Sequence, residues 1–125
     1  MSARITGIHT VGVPVTDQDK ALDFYTTTLG LSTRLDVPMV GGARWIEVIA
    51  DGAATSVALI QAKESAPAGV ETGVRFSTTD ADAFHARLRA AGTDVGEVLR
   101  WPGVPAMFAF RDQDGNGLEI VEQPA

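Results

Sequence analysis

The sequence predicts an α+β domain made of two βαβββ modules, whose paired four-stranded mixed sheets form a concave cavity. The main observation is an internal repeat, because the motif Thr-Asp-x-Asp begins at Thr16 and again at Thr79, 63 residues later. In both copies an alternating apolar stretch precedes the motif, a helical pattern follows it, and three short strand candidates come next. The chain is therefore expected to be a single domain over 1–125, with module one at about 5–62, a linker at 62–69 and module two at about 70–123.

Each helix is predicted from its start signal, its apolar face and its stop signal. The Thr of the motif can cap the helix while the second Asp reaches back, as in a capping box. The first helix is expected at about 17–29 and the second at about 80–91, ending at Gly30 and Gly92. The residues expected to face inward are Leu22, Tyr25 and Leu29 in the first helix, and Phe84, Leu88 and Ala91 in the second.

The strands that follow the helices are predicted from alternation and from turn residues. In module one they lie at about 31–36, 43–50 and 55–62, and in module two at about 94–100, 106–111 and 118–122. The last two are joined by "DQDGNG", which contains the strong turn signals Asp-Gly and Asn-Gly. One helix covers only one face of a sheet, so the other face needs a partner, within the chain or across a dimer.

Composition excludes several kinds of function. The chain of 125 residues has no cysteine, which rules out disulfides, thiolate metal sites and a cysteine nucleophile. A formal net charge of −6, with scattered Lys and Arg, disfavours nucleic acid as a partner. The start lacks the apolar segment of a signal peptide, and no apolar run is long enough to cross a membrane, so we expect a cytoplasmic protein that does not bind membranes.

Two stretches carry a family resemblance, "HTVGVPVTDQDKALDFYTTTLGL" near the start and "FRDQDGNGLEIVE" near the end. With the repeat, they make the chain from about residue 5 to 122 similar to the vicinal oxygen chelate superfamily, which includes glyoxalases, bleomycin resistance proteins and extradiol dioxygenases. The resemblance implies a glyoxalase-like fold and a homodimer with paired clefts. It does not fix the function, because the superfamily hosts isomerases, lyases, dioxygenases, thiol transferases and drug binders.

The resemblance also locates four positions where metal-using members carry their ligands, on the first and last strand of each half. Counting seven residues back from Asp17 and Asp80 gives Thr10 and Gly73, and counting seven forward from Asp112 gives Glu119. The fourth position falls near Leu59, within one residue. Only the glutamate is a competent ligand for Ni, Zn, Mn or Fe, so no metal ion or other cofactor is expected.

His9 is the obvious metal-ligand candidate, but strand alternation argues against it. It would share a face with Val11, Val13 and Val15, an apolar row expected to pack against a helix. We therefore expect His9 in the core. The alternative is a metal site rebuilt from displaced ligands such as His9, Glu47 or Gln61.

Ligand-binding candidates come from the cavity-facing strand positions and from aromatic residues beside flexible loops. Glu119 could orient a ligand, although Arg75 or Arg111 could neutralise it. Phe76 and Phe110 are assigned to the core, and His85 is expected to be a solvated or partly exposed side chain on its helix. The predicted ligand-binding residues are Thr10, Met39, Trp45, Leu59, Gly73, Arg75, Trp101, Met107, Phe108 and Glu119.

These features favour binding over catalysis, and no catalytic residue is predicted because no nucleophile lies beside a base. The predicted function is metal-independent binding and sequestration of a bulky, partly aromatic small molecule that could be cationic, as in antibiotic resistance. The alternative is a glyoxalase-type lyase or isomerase acting on a small carbonyl or thiol-adduct substrate, with Glu119 as base or with displaced metal ligands. A third interpretation, an interaction module, requires side chains to fill the cavity.

Overall fold

The computed structural model describes residues 2–124 and contains two four-stranded mixed sheets, each with one helical segment. Sheet one has the order β1-β4-β3-β2 and sheet two the order β5-β8-β7-β6. The strands of sheet one are β1 (Thr10–Val15), β2 (Ser32–Pro38), β3 (Arg44–Ile49) and β4 (Ser56–Gln61). Those of sheet two are β5 (Glu71–Thr78), β6 (Leu99–Trp101), β7 (Val104–Arg111) and β8 (Gly117–Glu122). The predicted α+β fold with two βαβββ modules is confirmed.

The pairing is the same in both sheets. β1 runs parallel to β4 and β5 parallel to β8, and the two remaining contacts within each sheet are antiparallel. Gly12 lies opposite Ala58 in the first parallel pair, and Arg75 lies opposite Glu119 in the second. Because Gly12 and Arg75 are 63 residues apart, the repeat seen in the sequence is also a repeat of strand register.

The helices begin where the sequence predicts, but with a different cap. Asp17 caps α1 (Gln18–Asp23), and its carboxylate accepts from the backbone N–H groups of Asp19 and Lys20. Asp80 caps α2 (Ala81–Ala90) in the same way. The expected threonine cap is wrong in both modules, because an aspartate caps each helix. In module one the Thr16 hydroxyl donates to Asp114 of module two instead.

The first helix changes its winding midway. After Asp23 the chain continues as a π-helical turn, Phe24–Thr28, rather than as the single α-helix expected from the sequence. The Thr26 hydroxyl donates to the Leu22 carbonyl at 2.7 Å, so a side chain takes part in satisfying the helix backbone there. The helix then ends at Gly30, whose φ of 82° suits glycine, as predicted.

A single apolar core is shared by both modules. Tyr25 of the π-helical turn and Leu88 of α2 are fully buried in it, and Phe110 is buried as predicted. Leu22, Phe76 and Phe84 are half-buried and pack against this core, as predicted. The prediction that Ala91 faces inward is wrong, because it is exposed at the end of its helix. The buried core cluster comprises Val13, Val15, Ala21, Tyr25, Leu29, Ile46, Val48, Val57, Leu59, Leu88, Phe108, Phe110, Leu118 and Ile120.

The outer strand of sheet two is shorter than predicted. The expected strand at 94–100 is reduced to β6, while Val95 forms an isolated bridge with Phe110 on β7. Within residues 2–124, neither helix is long and apolar enough to cross a membrane.

Candidate functional site

Each sheet packs one face into the core and leaves the other face open, and the functional candidates lie on the open faces. In sheet one, the core face carries Val13 and Leu59, which are paired across β1 and β4. The alternate pair, Thr10 and Ser56, lies on the open face. Leu35 pairs with Glu47, and Val37 with Trp45, which extends the open face across β2 and β3.

A buried carboxylate organises the open face of sheet one. Glu47 is 3% exposed, and its Oε1 accepts from Arg34 Nε at 3.1 Å and from Ser56 Oγ at 2.8 Å. Arg34 Nη2 also donates to Oε1, and Trp45 Nε1 donates to Oε2 at 2.7 Å. Thr10 Oγ1 lies 2.7 Å from the same Ser56 hydroxyl. These five side chains, Thr10, Arg34, Trp45, Glu47 and Ser56, are called the Glu47 cluster below.

The cluster holds Glu47 in its charged form. The hydrogen bonds from Trp45 and Arg34 lower the pKa of Glu47 to about 2, against the opposing effect of burial, with Ser56 contributing further. A fixed carboxylate in turn fixes the plane of the Trp45 indole and two of the three nitrogens of the Arg34 guanidinium. The Trp45 ring and the Arg34 guanidinium are therefore preorganised side by side on the open face of sheet one.

Arg34 and Ser56 were not predicted as site residues. The register between β2 and β3 shifts between Thr33 and Leu35, so Arg34 lies at a β-bulge. Strict alternation puts Arg34 and Leu35 on opposite faces, but the irregular register lets the guanidinium reach Glu47 on the open face. A charged residue at position 47, between the apolar Ile46 and Val48, was the signal available for the cluster.

The prediction that His9 lies in the core is wrong. β1 begins one residue later, at Thr10, and the His9 side chain is 77% exposed. Its Nε2 lies 3.8 Å from Glu47 Oε2 and 3.4 Å from Arg34 Nη2. The prediction from strand alternation failed because His9 precedes the regular strand. Its ring nitrogen lies at the exposed rim of the cluster. Gln61, the other displaced candidate, donates to the Thr16 carbonyl at 3.1 Å.

The open face of sheet two carries a second charged pair. Arg75 Nη2 lies 3.0 Å from Glu119 Oε1, with the two residues opposite each other on β5 and β8. Both line a cavity of about 600 Å³, together with Glu71, Gly73 and Arg111. Arg111 pairs with Glu71 at 2.5 Å, so Arg75 is the partner of Glu119.

The register corrects one of the four positions suggested by metal-using relatives. Because Gly12 pairs with Ala58 as Arg75 pairs with Glu119, Ala58 is the equivalent of Glu119, and Leu59 lies in the core with no exposed surface. Gly73 lies at a register irregularity in β5 and has a φ of 75°, a conformation that favours glycine. Among residues 2–124, no three His, Cys, Asp or Glu side chains are grouped so that they could hold a metal ion.

The remaining predicted residues divide between surface and core. Met39 and Trp101 are exposed, at 42% and 52%, and Met107 is half-buried on the face that carries Glu119. Phe108 is fully buried on the opposite face, edge-on to His85 with the ring centroids 5.0 Å apart. The structure therefore leaves Leu59 and Phe108 outside the open faces.

Comparison with known proteins gives one family and several close structures. The family model described as the Glyoxalase/Bleomycin resistance protein/Dioxygenase superfamily matches residues 7–120. TnmS3, an antibiotic binding protein from Streptomyces sp. CB03234, is 35% identical with a TM-score of 0.87, over 99% of this chain and 100% of its own. A glyoxalase/bleomycin resistance protein from the same strain is 36% identical with a TM-score of 0.81, over 92% and 99% of the two chains. The uncharacterized protein YetH of Bacillus subtilis (strain 168) is 30% identical over 122 residues, which are 94% of this chain and 99% of YetH.

Proposed function

Since the chain belongs to the glyoxalase/bleomycin resistance protein/dioxygenase superfamily, we propose that it binds and sequesters a bulky, partly aromatic small molecule without using a metal ion. The role is that of an antibiotic-resistance protein. TnmS3, which is similar over both modules, is described as an antibiotic binding protein, and this likeness supports the proposal.

The observation that carries the proposal is the make-up of the open face of sheet one. Leu35, Val37 and Met39 each expose about two fifths of their surface (39%, 40% and 42%) beside the half-buried Trp45. Apolar surface around a few fixed polar groups is the usual composition of a small-molecule site. The Glu47 cluster supplies those polar groups in a fixed geometry.

The metal chemistry of the superfamily does not fit these residues. The equivalent positions carry a hydroxyl, a methyl group, a glycine and a single carboxylate, at Thr10, Ala58, Gly73 and Glu119. One carboxylate already paired with Arg75 is a poor donor set for Ni, Zn, Mn or Fe. The proposed binding therefore involves no metal ion, and the pairing with Arg75 favours an orienting role for Glu119 over proton transfer.

We further propose that the chain works as a homodimer in which open sheet faces are paired. Each chain leaves two such faces uncovered, and a second copy would enclose a ligand between them. Enclosure would also remove the exposed apolar side chains of sheet one from water, which favours association.

The test is native mass spectrometry of the protein purified from its own producing organism, combined with elemental analysis. The expected result is a dimer that carries an organic ligand and retains less than one Ni, Zn, Mn or Fe per site. Tight retention of one such metal ion per site, after treatment with each metal in turn, would contradict metal-independent binding.

A further inference from the structure

Within residues 2–124, the one group of the Glu47 cluster without a hydrogen-bond partner is a donor on Arg34, so the cluster favours a ligand that offers an acceptor. Glu47 has its oxygens occupied by Trp45, Arg34 and Ser56 and is almost completely buried. Arg34 uses Nε and Nη2 for its polar contacts with Glu47, Ser56 and His9. Within residues 2–124, its Nη1 has no hydrogen-bond partner, and the side chain is 32% exposed.

The charges on both open faces also argue against a cationic ligand. Glu47 is neutralised by Arg34, and Glu119 by Arg75. Neither carboxylate is therefore left for a cationic ligand, although the whole chain carries a net charge of −6. Among residues 2–124, the group of this cluster that keeps no hydrogen-bond partner is the Arg34 Nη1 N–H, which donates a hydrogen bond and cannot accept one.

The surroundings of that donor are aromatic and aliphatic. Trp45 is tied to the same carboxylate, and Val37 lies opposite Trp45 on the neighbouring strand. Leu35 follows Arg34 directly and is 39% exposed. A flat apolar body lying against these side chains would bring its edge to Arg34.

We propose that Arg34 is a specificity-determining residue that selects aromatic ligands with an oxygen acceptor, a carbonyl or a carboxylate, at the ring edge. This inference rests on the proposed function and narrows its ligand class. Glu47 is the positioning residue, because it holds Arg34 and Trp45 in place without meeting the ligand. A ligand lacking the acceptor would bury Arg34 Nη1 without a partner, which costs affinity.

The test compares four naphthalene probes substituted at the same ring position: acetyl, carboxylate, ethyl and aminomethyl. The ethyl probe differs from the acetyl probe only in carrying two hydrogens in place of the carbonyl oxygen, so their affinity ratio reports what that oxygen contributes. Binding to the wild-type protein is measured by isothermal titration calorimetry. The acetyl and carboxylate probes are expected to bind about tenfold more tightly than the ethyl probe, and the aminomethyl probe most weakly.

The variant for the test is Arg34→Met combined with Glu47→Gln, which removes the donor without leaving a buried charge unpaired. The matched control is Arg44→Met combined with Asp36→Asn, a pair at 3.1 Å on the same two strands. The acetyl-to-ethyl ratio should fall to near one in the first double variant and keep its wild-type value in the control. Circular dichroism checks that both are folded.

Two results would overturn the inference: a wild-type ratio near one, or a wild-type ratio retained in the Arg34→Met, Glu47→Gln variant. If that variant does not fold, the inference is decided on the wild-type protein alone. The deciding measurements are the acetyl-to-ethyl affinity ratio and the relative affinities of the carboxylate and aminomethyl probes. Failure of all four probes to bind the wild type would contradict the proposed function itself. Equal binding of the acetyl and ethyl probes would leave that function standing and remove only the role of Arg34.

Discussion

Tyr25 of module one donates a hydrogen bond to Asp112 of module two, with 2.7 Å between Oη and Oδ2 and both residues buried. Burial, and then the charge of Asp112, raises the pKa of Tyr25 far above its usual value, so the hydroxyl keeps its proton and remains a donor. Asn116 donates to the same oxygen at 3.0 Å and to the Pro14 carbonyl at 2.8 Å. This small buried network joins the β7–β8 turn to the first module.

Replacing Tyr25 with Phe should weaken that junction without opening a large cavity. A hydrogen bond to a charged group contributes about 1.5–3 kcal/mol, and the variant loses one. Urea unfolding measures the difference in the free energy of unfolding. Thr27→Val is the control, because it removes only an exposed hydroxyl contact with Asp23 in the same helical segment. A loss below about 0.5 kcal/mol in Tyr25→Phe would show that the junction does not depend on this hydrogen bond.

The lowered pKa of Glu47 predicts a loss of folding stability in acid. Its pKa is lowered from 4.5 to about 2 in the folded protein, so its contribution is present above pH 4.5 and is lost as the pH falls towards 2. The shift corresponds to about 3 kcal/mol at most. Glu47→Gln should be less stable than the wild type at pH 7, and the difference should shrink between pH 4.5 and 2.

Chemical unfolding at a series of pH values measures this difference. The control is Glu64→Gln on the exposed linker, which should stay within about 0.5 kcal/mol of the wild type throughout. A Glu47→Gln difference that remained constant from pH 7 to pH 2 would mean that the carboxylate titrates as in the unfolded chain.

Alternation and turn chemistry were sufficient to predict the fold, because they depend on local periods. Val13 and Val15 face the core as their spacing indicates, and Gly30 ends the first helix. Within the repeat, Ala58 rather than Leu59 is the counterpart of Glu119. Here the cross-strand register, which a sequence does not display, decides which residue lies opposite Gly12.

The contact between Arg34 and Glu47 could not be predicted because it depends on irregular backbone. The bulge beside Arg34 brings that residue to Glu47 from 13 positions away in sequence. His9 was misplaced for a related reason, since the strand begins after it and alternation no longer applies. Long-range side-chain pairs of this kind have no periodic signature in the sequence.

Gly73 lies at a position predicted from the metal ligands of the superfamily, and its backbone conformation gives a physical reason for glycine there. With a φ of 75°, any other residue is strained there, although a Cβ atom at this position would meet nothing within 4 Å. Gly73→Ala should therefore reduce the free energy of unfolding by about 1–2 kcal/mol. Gly96→Ala is the control, because its nearest neighbour is an ordinary contact at 3.5 Å and its φ is not in the left-handed range. Thermal unfolding of both variants measures the effect, and equal stability would contradict the strain argument.

The two tryptophans should report on different environments, and only one should sense Glu47. Trp45 is half-buried with its indole N–H on the carboxylate at 2.7 Å, whereas Trp101 is 52% exposed. Trp101→Phe, which keeps Trp45, should emit at shorter wavelength and resist acrylamide quenching, and Trp45→Phe should do the reverse. Adding Glu47→Gln removes a charge beside one indole, so it should shift the emission of the Trp101→Phe protein and leave the Trp45→Phe protein unchanged. Equal emission shifts in the Trp101→Phe and Trp45→Phe proteins would mean that Glu47→Gln acts by loosening the whole fold. Glu47 would then not be the residue that holds Trp45 in place.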